Sequence, residues 1–457
     1  MSSRRTFIKE SALATAGLFA ASSVFGGMYG AKKIKVLVIG AGLSGLAAAY
    51  KLRKAGMEVK VVESNSRVGG RVFSFQMEKD LVVELGGEWV GYSHTRMREL
   101  CGEFGLELFN NQMQTNMIYE GVYTPAGQPL FSKEWTSKYD SLLAQYPNLP
   151  DAEKEKLELQ DWWRYLVNNG CDGRDLNIRE LLDSTDFGES IRHVSAFAAL
   201  EEYSIVTGRS EEVTNNQMDL KIRGGNGQLA TKIHEKIGDC ISFNRKVIRI
   251  IQGTDKVKVY FENGEFEEAD KVICTLPTFA MNQIDWQPGL PTEKINAISE
   301  LQYARINKHV LLFNNRFWKD ESFDLITDQL PHYFYHSTKN QKSGKGALIS
   351  YTIGDKAAVV ARQSKEFNAA EINRTLSPHF GDTQQFLERQ ENFYWGENNY
   401  SRGAYALYGP GQWFRLRGAL KTPFQNVHFA GEHIADWQGF MEGAIETGEA
   451  AANEILL

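Results

Sequence analysis

The sequence predicts an α/β fold, and three features carry that prediction. Residues 34–39 form a short Val- and Ile-rich run that leads directly into glycines. From residue 43 to 55 apolar positions recur near helical spacing, and a second strand-like run, residues 57–62, follows and ends at Glu63. Residues 271–276 repeat the buried-strand character and are closed by Pro277. The 457 residues suffice for two domains at roughly 100–200 residues each.

Taken in order, the first strand, turn, helix and second strand make a βαβ unit. Leu46, Ala49, Tyr50 and Leu52 share a helical face, and Gly56 supplies the stop. The turn carries Gly40, Gly42 and Gly45 at G-x-G-x-x-G spacing, with Glu63 standing 21 residues beyond Gly42. Between a strand and a helix, this pattern is a Rossmann-like dinucleotide fingerprint. Gly40 permits the tight turn, Gly42 lets the backbone approach a pyrophosphate, and Gly45 lets the helix lie against the strand. The first helical residues, Leu43 and Ser44, then face the phosphates. Glu63, followed by Ser64, is placed to accept ribose hydroxyls.

Further along, residues 161–167 read as a Trp-rich helical stretch, followed by a polar region up to Gln217. Val257, Val259 and Phe261 alternate ahead of Asn263-Gly264, a hairpin signal. In the tail from Met441, the residues Ala444, Gly448, Ala451 and Ile455 fall on one helical face.

Composition narrows the class of function. With 42% hydrophobic and 24% charged residues, neither disorder nor a multi-span membrane protein is indicated. A net charge of -6 with no long basic run after the first residues argues against a nucleic-acid partner. Cys101, Cys171, Cys240 and Cys274 have neither metal-ligand spacing nor the density of a disulfide scaffold, and they read as buried thiols. His94, His193, His309, His332, His336 and His433 have no ligand-spaced partner, so no metal is expected. The start, Ser3-Arg4-Arg5-Thr6-Phe7-Ile8-Lys9, resembles a twin-arginine export signal, with an uncharged stretch from 11 to 31 behind it. Residues 1–31 are therefore expected to be a signal peptide. Bacterial periplasm is the expected destination, with membrane contact only in transit.

Beyond Glu63 the sequence continues Arg67-Val68-Gly69-Gly70-Arg71, then Glu84-Leu85-Gly86-Gly87-Glu88-Trp89-Val90-Gly91. These segments resemble the flavin-containing amine oxidases. The resemblance continues through Gly224-Gly225-Asn226-Gly227-Gln228, Phe429-Ala430-Gly431-Glu432 and Gly439-Phe440-Met441-Glu442-Gly443-Ala444. Physically, paired glycines let a backbone pass beneath a flat ring, and Arg71 offers a fork of donors to oxygen. The resemblance implies FAD held by the fingerprint together with Arg67, Gly69, Gly70, Arg71, Gly86, Gly87, Glu88, Trp89, Gly431, Glu432 and Ala444. It places the flavin ring near Gly86-Gly87 and Trp395, Val247 by the adenine, Glu432 on the ribityl chain, and Met441 at the start of a helix aimed at the N1 and O2 edge. A helix N-terminus there favours the negative charge of a reduced flavin.

Hydride loss from an amine needs a neutral nitrogen, a C–H bond over the flavin and little water. By resemblance, the aromatic pair flanking the flavin falls on Tyr405 and Phe440, where tyrosine is commoner than phenylalanine. Ala404 stands where covalent members have a flavin-bonding cysteine, so the FAD is expected to be noncovalent. Lys308, inside the apolar run 307–313, matches the lysine that holds a water near flavin N5, and burial would lower its pKa. Lys308, Tyr405, Phe440 and Trp395 are thus the expected catalytic set. Arg96 as a carboxylate clamp is disfavoured, since on a helix it reads as ion-paired.

The architecture so implied is an FAD domain of three segments, 34–108, 220–290 and 399–457, with a mixed α+β substrate domain, 109–219 and 291–398, interleaved. The expected reaction is oxidation of a primary or secondary amine to an imine, with O2 reduced to H2O2, in a chain free to act alone or as a homodimer. An L-amino-acid oxidase, a flavin dehydrogenase or desaturase with a non-oxygen acceptor, an NAD-dependent dehydrogenase and a non-catalytic flavin carrier are the alternatives.

Overall fold

The computed structural model describes residues 34–207 and 219–457, so the segment read as an export signal lies outside the described residues. At the centre of the nucleotide-binding region is a five-stranded sheet in which all neighbours run parallel. Its order is Val427–Phe429, Lys271–Cys274, Lys35–Ile39, Glu58–Val62, Ile241–Ser242. Strands covered on both faces must be apolar throughout. Accordingly Val36, Leu37, Val38, Ile39, Val272, Ile273 and Val427 are all buried. The βαβ unit forms as the sequence predicts, with the helix Leu43–Lys54 between the paired strands Lys35–Ile39 and Glu58–Val62.

A second helix covers the same face. Met441–Leu456 crosses Leu43–Lys54 so closely that a Cβ on Gly448 would lie 2.1 Å from the Ser44 carbonyl oxygen. Only glycine admits that approach. The small residues Ala451 and Ala452 continue the buried face.

The predicted hairpin is present as Val257–Phe261 paired antiparallel with Phe266–Ala269, within a four-stranded sheet. The Trp-rich stretch is the helix Trp162–Asn168, capped by Asp161, which accepts from the Arg164 N–H at 2.7 Å. The polar reading after it holds less well. Ala196–Thr207 is a helix, and Phe197, Ala198, Ala199 and Leu200 are buried in it. Its apolar residues are contiguous rather than periodic, so no amphipathic signal marked it.

A seven-stranded sheet occupies the other side of the described structure. Its order is Leu387–Tyr394, Ile306–Phe313, Gly346–Ile353, Tyr333–His336, Phe323–Thr327, Gln114–Tyr119, Val122–Thr124, and only the pair Phe323–Thr327 with Gln114–Tyr119 is parallel. Every residue of Ile306–Phe313 is buried, Lys308 included. The four cysteines are free thiols, with Cys101, Cys171 and Cys274 buried.

Candidate active site

The glycine turn is shaped by backbone against backbone. Gly40 has φ +103°, and a Cβ on Gly45 would sit 1.9 Å from the Gly40 carbonyl oxygen. The loop 67–71 returns onto this turn. The Gly69 N–H donates to the Ala41 carbonyl at 2.8 Å, and a Cβ on Gly42 would lie 4.0 Å from Gly70 Cα. Ser44, at the start of the helix, is buried with a hydroxyl that has no protein partner. A buried orphan hydroxyl beside the free N–H groups of a helix start is the donor set of an anion site, and it fits a pyrophosphate.

Glu63 ends its strand with the carboxylate turned to the turn, accepting from the N–H groups of Ala41 (2.7 Å) and Asn65 (2.8 Å) and from the Ser64 hydroxyl (3.3 Å). Burial raises its pKa, and those donors oppose the rise. Val247 begins its strand close by in the chain, where the Arg245 N–H donates to the Glu63 carbonyl at 2.8 Å. Two arginines implied by the resemblance also brace this loop. Arg67 spends its guanidinium on the carbonyls of Val68 (3.1 Å), Gly70 (2.7 Å) and Val72 (3.2 Å), which fixes the loop. Arg71 pairs with Glu432, which also accepts from the Gly439 N–H at 2.9 Å, tying the loop to the start of the Met441 helix. Burial opposes the charge on Glu432, yet Arg71 holds it below the usual carboxylate range. The Gly431 N–H donates to Thr447 Oγ1 at 3.0 Å, while Ala444 is half-buried one turn into the helix.

The turn at Gly86-Gly87 is built differently. Each carbonyl from Glu84 to Glu88 accepts from a buried side chain. Lys308 Nζ donates to Glu84 (3.0 Å) and Gly86 (2.8 Å), Trp395 Nε1 to Leu85 (2.7 Å), and Asn226 Nδ2 to Gly87 (3.2 Å) and Glu88 (2.6 Å). Three of the expected site residues have protein partners here. Trp395 is buried beneath the turn with its one donor committed to the Leu85 carbonyl, so its indole supports the turn. Lys308 donates its third hydrogen to Glu88 Oε2 at 3.1 Å, so each of its donors has a protein partner. Glu88 is buried and accepts from Lys308, from Lys221 (2.8 Å) and from the Tyr335 hydroxyl (2.5 Å), so its carboxylate serves lysines and not the cofactor. Trp89 packs its ring on Tyr335 at 5.5 Å. Burial drives the Lys308 pKa down against Glu88; burial also works to raise Glu88, but the two lysines hold it low. Lys221 and Asn226 were missed as chemistry because nothing local in the sequence marks them as partners of a turn far away in the chain.

Tyr405 lies against Gly439, where a Cβ would meet its ring at 3.1 Å, and Phe440 follows, packed on His94 (5.2 Å) and Trp437 (5.9 Å). The Tyr405 hydroxyl donates to the Asp186 carbonyl, and Tyr203 donates to Asp186 Oδ2 at 3.0 Å. Tyr351 shares a hydrogen bond with Tyr405. Asp186 is exposed, and Glu202, Tyr203, Tyr351 and Tyr405, half-buried, form one interacting cluster with it. Burial, with neighbouring carboxylates next, pushes Asp186 up to about 7 and Glu202 up to about 8. No feature of the sequence signalled either acid. Arg96 is no clamp, since it pairs with Glu449 at 2.6 Å and with Glu99. Among the described residues no cluster could hold a metal.

A parallel sheet carrying a glycine fingerprint, with a second glycine loop and a helix start converging on it, defines a dinucleotide-binding flavoprotein. The family profile described as flavin containing amine oxidoreductase matches residues 43–456, and the chain belongs to that family. It is similar to human amine oxidase [flavin-containing] B, at 27% identity over 93% of this chain and 86% of that protein. Its fold is shared with a putrescine oxidase bound to putrescine, at TM-score 0.81 and 23% identity over 93% of this chain and 99% of the other. It is shared as well with cyclohexylamine oxidase from Brevibacterium oxydans, at TM-score 0.80 and 22% identity over 93% and 100%. The protein is an FAD-dependent amine oxidase.

Proposed function

We propose that the chain oxidises a primary or secondary amine that enters as a cation, giving the imine, with O2 reduced to H2O2 and the imine hydrolysed in water. The observation that carries this reading is the cluster of Tyr405, Tyr351, Tyr203, Asp186 and Glu202. Tyrosine faces and two carboxylates attract an ammonium group. They repel the carboxylate of an amino acid, and Arg179, the arginine beside them, is already paired with Asp183 at 3.1 Å. An L-amino-acid oxidase is therefore the weaker reading.

Gly40, Gly42, Ser44, Gly45, Glu63, Gly70 and Arg71 would hold the FAD, and Ala404 offers it no thiol, so attachment is noncovalent. Bound flavin supplies the two-electron acceptor. The protein's part is to orient the amine between aromatic walls, to exclude water and to accept the ammonium proton at carboxylates poised near neutrality. Export by the twin-arginine route, read from residues 3–9, belongs to the same proposal.

Anaerobic mixing of the yellow holoenzyme with panels of monoamines, diamines and L-amino acids tests it. Amines bleach the flavin, amino acids do not, and admitting air restores colour with release of peroxide. Bleaching by amino acids alone overturns the reading. Acid precipitation should leave the flavin in the supernatant.

A further inference from the structure

The mechanism above leaves a buried charge cluster unused. Lys308 sits in the middle of a fully buried strand. Lys221 comes from the strand Leu220–Ile222 and is equally enclosed. Between them lies Glu88, whose two oxygens are divided, Oε1 to Lys221 (2.8 Å) and Oε2 to Lys308 (3.1 Å), with Tyr335 also on Oε2. Lys221 has a second acceptor, the Ser337 carbonyl at 3.3 Å. Of the other titratable neighbours, His336 faces Lys221 and Tyr333 faces Glu88, while Glu84 acts on both lysines through space but gives its carboxylate to the Ser74 hydroxyl (2.9 and 2.8 Å) and the Asn226 N–H (2.8 Å). One buried carboxylate thus serves two buried ammonium groups, and burying an ammonium without a partner is costly.

We propose that Glu88 is a positioning residue: it holds Lys308 as a charged ammonium on the Glu84 and Gly86 carbonyls, and Lys221 limits how firmly it does so. The consequence is a fixed positive charge at the turn that the family reading places beside the flavin ring. Such a charge favours the more negative, reduced state of a group bound there. The inference rests on the family reading only for this last step. The ion cluster itself is present whatever the substrate.

The geometry makes a directional prediction. Removing the carboxylate leaves Lys308 facing Lys221 with no hydrogen-bonded counter-charge and only the turned-away Glu84 to oppose the repulsion, so its pKa falls. Removing Lys221 leaves Glu88 wholly to Lys308, so its pKa rises. A general loosening of the cluster would move both variants the same way.

The experiment uses holoenzyme labelled with 13Cε-lysine. The Lys308 resonance is identified by its loss in Lys308→Met and titrated by NMR in wild type, Glu88→Gln and Lys221→Met. The expected result is a fall of about one pH unit or more in Glu88→Gln and a rise in Lys221→Met. The pH profile of oxygen reoxidation after photoreduction, which needs no amine, should shift in the same two directions. Equal-sign shifts, or no shift in either variant, overturn the proposal. If Glu88→Gln does not fold, Lys221→Met decides alone, since an unchanged or lowered titration there refutes it. Opposite NMR shifts with an unmoved reoxidation profile keep the positioning role and remove its effect on the flavin. Failure of the amine reading would appear instead as a flavin that no amine bleaches.

Discussion

The two glycine turns of this site do similar work by different means. The turn at Gly40–Gly45 is fixed chiefly by backbone meeting backbone, within its own βαβ unit and from the loop 67–71 that follows it. The turn at Gly86-Gly87 shares backbone bonds with Arg71 and Phe73, but its carbonyls are held in addition by Lys308, Trp395 and Asn226, which arrive from distant parts of the chain. Backbone contact leaves no room for an added atom at Gly45 or at Gly86, whereas the side-chain donors of the second turn can be lost one at a time. That difference sets an order of sensitivities.

The largest effect should come from glycine itself. Gly45→Ala puts a Cβ 1.9 Å from a carbonyl oxygen, and Gly86→Ala puts one 2.1 Å from the Arg71 carbonyl oxygen. Each is expected to cost about 3 kcal/mol or more and to yield colourless protein, as read by denaturant melts and flavin absorbance. If Gly86→Ala were mild while Gly45→Ala were severe, the second turn would prove to be the more pliable.

Next comes Asn226→Ala, which frees the Gly87 and Glu88 carbonyls and the Ile222 N–H (3.0 Å) in a fully buried setting. About 2–3 kcal/mol is expected, against about 1 kcal/mol for Trp395→Phe, which frees one carbonyl. Equal costs would mean that the donors act as a unit and not singly.

Asp186→Asn adds a pH signature. Its folded pKa, near 7, lies above that of an unfolded aspartate near 4, so the folded state binds the extra proton between those values. Stability associated with Asp186 is therefore full below pH 4 and is lost as pH rises through 7. The variant should melt higher than wild type at pH 8 and identically at pH 4, while cationic amines bind it more weakly. The smallest effect is expected from Ser44→Ala. The hydroxyl has no protein partner, so the apoprotein should be unchanged, while FAD binds roughly 5- to 10-fold more weakly if it takes that donor.

The same contrast explains what was legible in the sequence. Gly40, Gly42, Gly45 and Glu63 could be read because their spacing encodes a local geometry. Lys308 could be read as a buried lysine from its apolar strand, but not that Glu88 and Lys221 complete it, since ion-pair partners across sheets leave no periodic trace. Trp395 was assigned to chemistry by resemblance, and only its hydrogen bond to Leu85 shows it to be a support. Asp186 and Glu202 sit in a helical region with weak amphipathic patterning, so their meeting in one cluster had no signal.

The close crossing of Gly448 over Ser44 also bears on how the protein is made. Residues that enter the ribosome's exit tunnel early must wait for a helix near the far end of the chain before their face of the nucleotide site is closed. Cofactor capture is thereby deferred until synthesis of that helix is complete, and a nascent chain arrested upstream of Met441 would expose the apolar flank of Leu43–Lys54 to chaperones.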